Sequence, residues 1–198
     1  MKKLQKLGFI KNFKIGIIGI GYVGLPLAIN FSKYYKVTAF DKNKRRIKNL
    51  KEGVDENLEF KKKNLLSKNL NFTQRFKDLN ECNIFVVTLP TPLSKNWLPD
   101  ISLVLKATKN IASILKKNDT VIYESTFNPG TVENVLLPIL EKFSKLKSKK
   151  DFFLGYSPER INPGDKFHRL ENIKKIISAI DSNSLKILKI IYSKIIKA

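Results

Sequence analysis

A glycine-rich turn between an apolar strand and an apolar helix constrains the fold of this chain more than any other segment. The turn reads Gly19-Ile-Gly-Tyr-Val-Gly24. An apolar run at residues 13–18 predicts a buried strand before it, and residues 22–34 predict a helix after it. A second predicted strand, at residues 36–40, is followed by Asp41, which lies 17 residues after Gly24. This order of elements predicts the first βαβ unit of a doubly wound α/β fold.

Each glycine of this turn has a separate role in dinucleotide binding. Gly19 makes the tight turn, Gly21 lets the backbone approach a pyrophosphate, and Gly24 lets the helix pack closely on the strand. The helix N-terminus presents free N–H groups and a partial positive charge to the phosphates, and the following acid holds the adenosine ribose. The alternative is a glycine-rich turn that only packs. We predict that the chain binds NAD through Gly19, Ile20, Gly21, Tyr22, Val23, Gly24, Asp41 and Arg46.

The amino-acid composition limits the classes of protein to which this chain can belong. With 198 residues, of which 42% are hydrophobic, it can form one domain with a real core. The formal net charge of +21 suggests a nucleic-acid-binding protein as an alternative. However, the lysines are spread over the whole length and their runs are short. We therefore interpret them as solvated surface residues and expect no nucleic-acid partner.

Three features predict a cytoplasmic protein with no membrane partner. No run approaches the roughly 18 apolar residues of a membrane span. The basic N-terminus lacks the unbroken apolar core and the small-residue cleavage site of a signal peptide. The single cysteine, Cys82, excludes an internal disulfide and a cysteine metal site, which suits a reducing compartment. We interpret Cys82 as a buried, inert thiol and expect no bound metal.

Strands and helices alternate along the rest of the chain. We predict strands at residues 13–18, 36–40, 71–73, 84–88, 120–123, 152–156 and 175–179, and helices at 22–34, 43–51, 58–66, 101–115, 131–146 and 182–193, with a kink at Pro138. This order predicts an α/β fold with a doubly wound, mostly parallel sheet and helices on both faces. Ligands of such sheets bind beyond the carboxyl ends of the strands. Four predicted loops meet there, at residues 19–24, 89–92, 125–130 and 157–164.

Four ordered segments resemble the UDP-glucose/GDP-mannose dehydrogenase family. They are the glycine turn continued to Ala28, Thr88-Leu-Pro-Thr-Pro92 with Pro99-Asp100, Glu124-Ser-Thr-Phe-Asn-Pro-Gly-Thr131, and Gly155-Tyr-Ser-Pro-Glu-Arg-Ile-Asn-Pro-Gly-Asp165. The last segment, continued by Lys166-Phe-His168-Arg-Leu170, is most similar to the branch that oxidises UDP-N-acetylhexosamines, especially the UDP-N-acetylglucosamine 6-dehydrogenases. The resemblance covers the chain from about residue 14 to its last residue.

The resemblance implies an activity and adds residues to the predicted site. Family members oxidise the alcohol at sugar carbon six to a carboxylate with two NAD, which implies a function in surface polysaccharide synthesis. Thr91 and Thr126 would line the nicotinamide side of the cofactor. Thr126 and Glu159 would be the catalytic candidates, since a hydroxyl and a carboxylate can orient a water and accept its proton. His168, the only histidine, is not used as a base in the family and is interpreted as structural or loop-orienting.

Three of these residues also have a simpler structural interpretation. Asp41 would cap the helix predicted at residues 43–51, which is compatible with ribose binding. Thr126 would cap the helix that follows it. Glu159 would be a surface carboxylate paired with Arg160. The sequence leaves these alternatives open.

The resemblance also implies parts that this sequence does not contain. The UDP-glucose branch has a second glutamate where this chain has Pro163. Family members continue through a central helix into a second, UDP-sugar-binding domain that supplies a nucleophilic cysteine and a lysine. We therefore expect residues 1–198 to form one Rossmann-like NAD-binding domain, with its core at about 13–198, truncated before those parts and without the complete activity by itself. The alternatives are a non-catalytic NAD-binding module or an inactive gene remnant, and a homo-oligomer or a complementing subunit is the expected protein partner.

Overall fold

Strands and helices alternate in the computed structural model, which describes residues 12–94, 97–159, 170 and 174–196. The strands are β1 (Lys14–Ile18), β2 (Lys36–Phe40), β3 (Leu70–Thr73), β4 (Ile84–Val87), β5 (Thr120–Tyr123), β6 (Phe153–Tyr156) and β7 (Ser178–Ala179). The α-helices are α1 (Gly24–Ser32), α2 (Lys44–Lys51), α3 (Lys62–Leu65), α4 (Ser102–Ala112), α5 (Leu137–Ser144) and α6 (Ser182–Tyr192). A 3-10 helix covers Phe76–Glu81, and a π-helical turn covers Val132–Leu136.

The strands form one sheet in the order β3-β2-β1-β4-β5-β6-β7. Strands β1 to β6 run parallel to their neighbours, as the βαβ order predicts. The first six strands have the 3-2-1-4-5-6 order of dinucleotide-binding folds. The chain moves outwards from β1 to β3 and then returns to place β4 beside β1. This reversal opens a crevice at the carboxyl ends of β1 and β4, and the predicted fold class is confirmed.

Successive side chains of each central strand point to opposite faces of the sheet and build two cores. In β4, Ile84 and Val86 belong to a core that α1, α2 and α6 cover, whereas Phe85 and Val87 belong to a core that α4 and α5 cover. All four of these side chains are fully buried. A strand that is buried on both faces needs an unbroken apolar run, which is why the Ile84-Phe-Val-Val87 segment is so distinct in the sequence.

The last strand differs from the prediction. A strand was expected at residues 175–179, within a mostly parallel sheet. Only Ser178–Ala179 is a strand, and it pairs antiparallel with Gly155 and Tyr156 of β6. The prediction was therefore too long, whereas one antiparallel strand is compatible with the mostly parallel sheet that the sequence predicts. A short antiparallel strand at the edge is common on otherwise parallel sheets.

The helix predicted at residues 131–146 is divided into two parts. A π-helical turn covers Val132–Leu136, and an α-helix follows from Leu137. Pro138 lies in the first turn of this α-helix, where its missing N–H costs little. The prediction of a kink at Pro138 is therefore wrong, because the irregularity of this helix is a π-helical turn that ends before the proline. None of the helices in the described ranges is long and apolar enough to cross a membrane.

Two capping alternatives are excluded by the helix boundaries. Asn43, and not Asp41, is the N-cap of α2, because its side-chain oxygen accepts a hydrogen bond from the Arg46 backbone N–H at 3.1 Å. Thr131, and not Thr126, occupies the N-cap position of the π-helical turn. Both predicted site residues are thus available for other contacts.

Candidate functional site

A cleft of about 660 Å³ opens where the strand order of the sheet reverses. Small-molecule sites have volumes of about 300–1,000 Å³, so the cleft can hold a ligand of that class. One wall consists of the glycine turn and the residues after β2, and it includes Gly19, Ile20, Gly21, Tyr22, Asp41 and Arg46. The other wall consists of the loop after β4 and one face of α4, and it includes Thr88, Leu89, Pro90, Leu103, Lys106 and Asn110.

The three glycines of the turn are in three different environments. Gly19 has a φ of +99°, a left-handed conformation that L side chains rarely adopt. A Cβ atom at Gly24 would lie 1.9 Å from the Gly19 carbonyl oxygen, so only glycine permits this close contact between helix and turn. At Gly21, no atom of the described residues lies within 4 Å of the Cβ position. The middle glycine therefore leaves open space on the cleft side of the turn.

The Asp41 carboxylate connects the end of β2 to the glycine turn. Its Oδ2 accepts a hydrogen bond from the Ile20 backbone N–H at 2.8 Å, and its Oδ1 accepts one from the Asn43 backbone N–H at 2.9 Å. An ionised carboxylate has about four lone-pair positions, so each oxygen keeps one position for a further donor. The half-buried group can thus accept the two hydroxyl protons of a ribose diol.

Arg46 lies under the turn, at the base of the cleft. Its Nε donates to the Ile20 carbonyl at 3.2 Å, and its Nη1 forms a buried ion pair with Asp55 at 2.8 Å. Within the described part of the chain, the buried Nη2 has no hydrogen-bond partner. A buried donor without a partner costs free energy, and a polar ligand in the cleft would supply one. The sequence included Arg46 as a candidate but gave no sign of its ion pair with Asp55.

Three hydroxyl groups connect the loops at the carboxyl ends of neighbouring strands. The Thr88 hydroxyl lies 2.7 Å from the Gly19 carbonyl oxygen and 3.1 Å from the Ile18 carbonyl oxygen. The Ser125 hydroxyl donates to the Leu89 carbonyl at 2.6 Å. The Thr91 hydroxyl donates to the Thr126 carbonyl at 2.9 Å. The two threonines predicted for the nicotinamide side are therefore in contact with each other, although they lie outside the lining of the cleft.

Glu159 is the third residue after β6 and is half-buried. Burial is the main cause of a raised pKa at the fully buried Glu124, and the charge of Glu159 is a smaller contribution in the same direction. The predicted loop at residues 157–164 is described only as far as Glu159. Arg160, Pro163 and His168, each of which was considered in the sequence, lie outside the described residues.

Several residues that line the cleft were not predicted from the sequence. Phe76, in the 3-10 helix, lines the cleft and packs edge-on against Phe40, with ring centroids 5.3 Å apart. Lys106 and Asn110 line the opposite wall from α4. Their spacing of four residues on a predicted helix was the one available signal, since residues four apart share a helix face. Nothing in the sequence indicated which face of α4 would meet the cleft.

Cys82 lies far from this site, at the amino end of β4. Its side chain is buried, and burial raises the pKa of its thiol to about 11. A thiol with so high a pKa stays protonated and is a poor nucleophile. The predicted burial of Cys82 is thus confirmed, and its inertness stays a prediction. No group of three or more His, Cys, Asp or Glu residues that could hold a metal ion occurs in the described ranges.

Comparison with known proteins agrees with this geometry. Residues 13–196 match the model of the NAD-binding domain of the UDP-glucose/GDP-mannose dehydrogenase family. The UDP-N-acetyl-D-glucosamine 6-dehydrogenase of Pseudomonas aeruginosa is 46% identical over 190 residues, which cover 96% of this chain and 45% of that protein. The chain thus spans about half the length of the curated relatives that it matches.

Solved structures of the same family superpose on this chain. The UDP-D-ManNAc dehydrogenase of Pyrococcus horikoshii superposes with a TM-score of 0.86 at 31% identity, over 94% of this chain and 46% of that one. A GDP-mannose dehydrogenase of Pseudomonas aeruginosa, solved as a ternary complex, gives a TM-score of 0.84 at 26% identity, over 91% of this chain and 44% of that one. The chain therefore belongs to the UDP-glucose/GDP-mannose dehydrogenase family, whose NAD-binding domain it contains.

Proposed function

We propose that this chain is the NAD-binding part of a dehydrogenase that oxidises the carbon-six alcohol of a UDP-N-acetylhexosamine to a carboxylate. Family membership supports the reaction class, and the name of the 46% identical relative supports the N-acetylhexosamine. The observation that carries the proposal is the cleft in which open space at Gly21 adjoins the fixed Asp41 carboxylate. A dinucleotide needs both features, one for its pyrophosphate and one for its ribose.

The residues of the cleft fit NAD, which supplies the hydride acceptor of the reaction when it is bound. The glycine turn and the start of α1 face the pyrophosphate position with backbone N–H groups. Asp41 accepts from the ribose, and the Nη2 of Arg46 donates to a polar group of the ligand at the base of the cleft. The side chains of Phe76 and Leu103 provide apolar walls on the two sides.

Thr126 and Glu159 are the residues that we assign to water handling. Thr126 is held by the Thr91 hydroxyl, which fixes its carbonyl and leaves its own side chain exposed. Glu159 supplies a carboxylate from the loop after β6, and β5 is the one strand between β6 and β4. Together they would orient a water, and Glu159 would accept its proton. Because the loops that carry them follow neighbouring strands, β5 and β6, they can face the same side of the sheet.

One specific observation favours a second candidate, a non-catalytic NAD-binding module. Oxidation of an aldehyde to an acid through a covalent thioester needs an accessible thiolate. The only cysteine of the 198 residues is buried, with its pKa raised to about 11. A buried Cys82 at the amino end of β4 does not fit that role, and we propose that the thiol comes from another polypeptide segment. We propose a cytoplasmic location, in which such a thiol stays reduced, and association with a second copy or a complementing subunit.

Two measurements test these alternatives. Calorimetric titration of the purified chain with NAD should give saturable binding, and its absence would contradict both candidates. NADH formation with NAD and UDP-N-acetylglucosamine should not be sustained by the chain alone. Turnover that survives Cys82→Ser would show that the reaction does not need the missing thiol. Turnover that appears only when a relative's cysteine-containing half is added would favour the dehydrogenase over the binding module.

A further inference from the structure

A buried ion pair lies at the carboxyl end of β5, in the core that α1 and α6 cover. Glu124 directly follows β5, and its side chain enters this core on the same face of the sheet as Ile122. The Lys175 Nζ is 2.6 Å from Glu124 Oε2, and the two side chains are 3% and 0% exposed. The Tyr192 hydroxyl donates to Glu124 Oε1. These three residues form the buried cluster, in which both oxygens of the carboxylate are held.

The two partners of Glu124 are themselves held in place. The Lys175 ammonium lies 5.6 Å from the centroid of the Tyr192 ring, a cation–π distance. The Tyr192 ring packs against Phe31 of α1, with ring centroids 5.7 Å apart. A buried ion pair seldom stabilises a fold more than apolar residues of similar volume would, but its directional bonds can specify one arrangement of the chain. The segment that Glu124 positions is therefore the place to look for the role of the buried cluster.

The chain after β5 is bonded to the chain after β4 at successive residues. The Glu124 backbone N–H donates to the Val87 carbonyl at 2.8 Å. The Ser125 hydroxyl donates to the Leu89 carbonyl at 2.6 Å. Leu89 also lines the cleft. A displacement of Glu124 would therefore move a wall of the cleft.

The next of these bonds joins the Thr91 hydroxyl to the Thr126 carbonyl at 2.9 Å. Thr126 is exposed and Thr91 is half-buried. Such a bond adds little to the stability of a loop, because water competes for both groups. The buried carboxylate of Glu124, two residues before Thr126, is the firmer attachment of this segment.

We propose that Glu124, fixed by the rest of the buried cluster, is a positioning residue that holds the Ser125–Thr126 segment at the nicotinamide end of NAD. This inference rests on the proposed function, because it assumes that NAD binds in the cleft with its nicotinamide beside Thr126. A segment that is fixed in advance loses less conformational freedom when a ligand binds to it. Loss of the buried cluster therefore weakens binding of the nicotinamide end and leaves binding of the adenosine end, at the glycine turn, unchanged.

Calorimetry with NAD and with ADP-ribose, which lacks only the nicotinamide, distinguishes the two ends of the cofactor. Tyr192→Phe removes one hydroxyl from the buried cluster. It should weaken NAD at least fivefold, about 1 kcal/mol, and keep the affinity for ADP-ribose within about twofold of the wild type. Tyr123→Phe is the matched control, because it removes a buried tyrosine hydroxyl that bonds to Thr108 on the other face of the sheet. This control should leave both affinities unchanged.

A double variant separates positioning from stability. Glu124→Met combined with Lys175→Met leaves no buried charge in the cluster, and replacing both ions by apolar side chains need not destabilise a fold. We expect its urea midpoint to stay close to that of the wild type, and its loss of NAD affinity to match or exceed that of Tyr192→Phe. Wild-type affinity for NAD in the folded double variant would overturn the proposal. If the double variant does not fold, Tyr192→Phe and its control decide the question.

Hydrogen exchange at the amides of residues 125–130 measures the attachment of this segment without any ligand. Exchange there should be faster in Tyr192→Phe than in the wild type, while exchange in β1 and α1 stays the same. Unchanged exchange at 125–130, unchanged affinity for NAD, or equal losses of affinity for NAD and ADP-ribose would each overturn the proposal. Faster exchange in a chain whose wild type binds neither nucleotide would refute only the proposed function.

Discussion

The Asp41 carboxylate and the Ile20 backbone N–H are joined by a hydrogen bond of 2.8 Å, although 21 positions separate the two residues. This bond fixes the acid that follows β2 against the turn that follows β1. One carboxylate oxygen therefore holds the glycine turn, while the group as a whole still faces the cleft. In the proposed function, the Asp41 side chain would couple the shape of the turn to the recognition of the ribose.

The first prediction concerns the choice between NAD and NADP. We expect the wild-type chain to bind NAD at least tenfold more tightly, about 1.4 kcal/mol, because Asp41 repels a 2′-phosphate. Asp41→Asn should weaken the binding of NAD and bring the ratio of the dissociation constants for the two cofactors closer to one. Calorimetry with both cofactors measures the ratio. Glu52→Gln, which removes the same charge from an exposed position directly after α2, should leave the ratio unchanged, and tighter binding of NADP by the wild-type chain would contradict the assignment of Asp41.

The second prediction contrasts two glycines of the same turn. Gly21→Val should fold with a melting temperature close to that of the wild type, since no atom of the described residues lies near the added Cβ. It should nevertheless lower the affinity for NAD at least 100-fold, about 2.7 kcal/mol, because its side chain fills the pyrophosphate position. Gly24→Ala should instead destabilise the fold, because its Cβ would meet the Gly19 carbonyl oxygen at 1.9 Å. Melting curves and calorimetry on both variants check the contrast, which fails if Gly21→Val binds NAD normally.

The third prediction concerns Thr88, which holds the Gly19 carbonyl from the neighbouring strand. Thr88→Val keeps the side-chain shape and removes the hydroxyl, so we expect a loss of about 1–2 kcal/mol in the free energy of unfolding. We also expect weaker binding of NAD, because the turn is no longer held. Thr108→Val is the matched control, since its buried hydroxyl bonds to Tyr123 within the core. Urea unfolding should show similar losses in both variants, and only Thr88→Val should bind NAD less tightly.

Local sequence determined most of what could be predicted of this fold. Three glycines at fixed spacing specify the conformation of the turn between β1 and α1, although Asp41 and Thr88 also hold it from distant positions. Strands buried on both faces, such as Ile84–Val87, need unbroken apolar runs that few other structures produce. The predicted bounds at Lys36–Phe40, an alternating strand, and at Thr120–Tyr123, a fully buried strand, also agree with the structure.

Contacts between distant residues account for what the sequence did not show. Lys175 and Glu124 are separated by 51 positions, and neither has a local pattern that distinguishes it from a surface charge. The antiparallel direction of β7 depends on how the chain returns to β6, and two residues are too few for a periodic signal. The contribution of Phe76 to the cleft depends on its contact with Phe40, which exists only after β2 and β3 have paired.

The fourth prediction concerns the reactivity of Cys82. In the native chain this thiol should react with a disulfide reagent at least 100-fold more slowly than in urea, because it is buried and its pKa is raised to about 11. Absorbance of the released thiolate measures both rates. Saturating NAD should not change the native rate by direct competition, since Cys82 lies at the amino end of β4 and the cleft lies at the carboxyl ends of the strands. Rapid native labelling would mean that the amino end of β4 is open to solvent.

The last prediction concerns the pH dependence of stability at Asp119, a buried carboxylate at the start of β5. Burial raises its pKa from 3.8 to about 6, although the Lys116 backbone N–H donates to it at 2.8 Å. The folded state therefore holds this proton more tightly than the unfolded state, and the stabilisation is complete below about pH 4 and lost as the pH rises to about 6. Asp119→Asn keeps an acceptor for Lys116 and cannot titrate. Across that window the free energy of unfolding of the wild type should fall by about 1–2 kcal/mol relative to this variant. Solvent screening makes this loss smaller than the value of about 1.4 kcal/mol per pKa unit would give.

Asp151→Asn is the opposite control. Hydrogen bonding from the Lys147 backbone lowers the pKa of Asp151, so the wild type should gain stability over that variant as the pH rises through the titration of Asp151. Urea unfolding at a series of pH values measures both differences, and a pH-independent difference for Asp119→Asn would show that the pKa of Asp119 is the same in the folded and unfolded states.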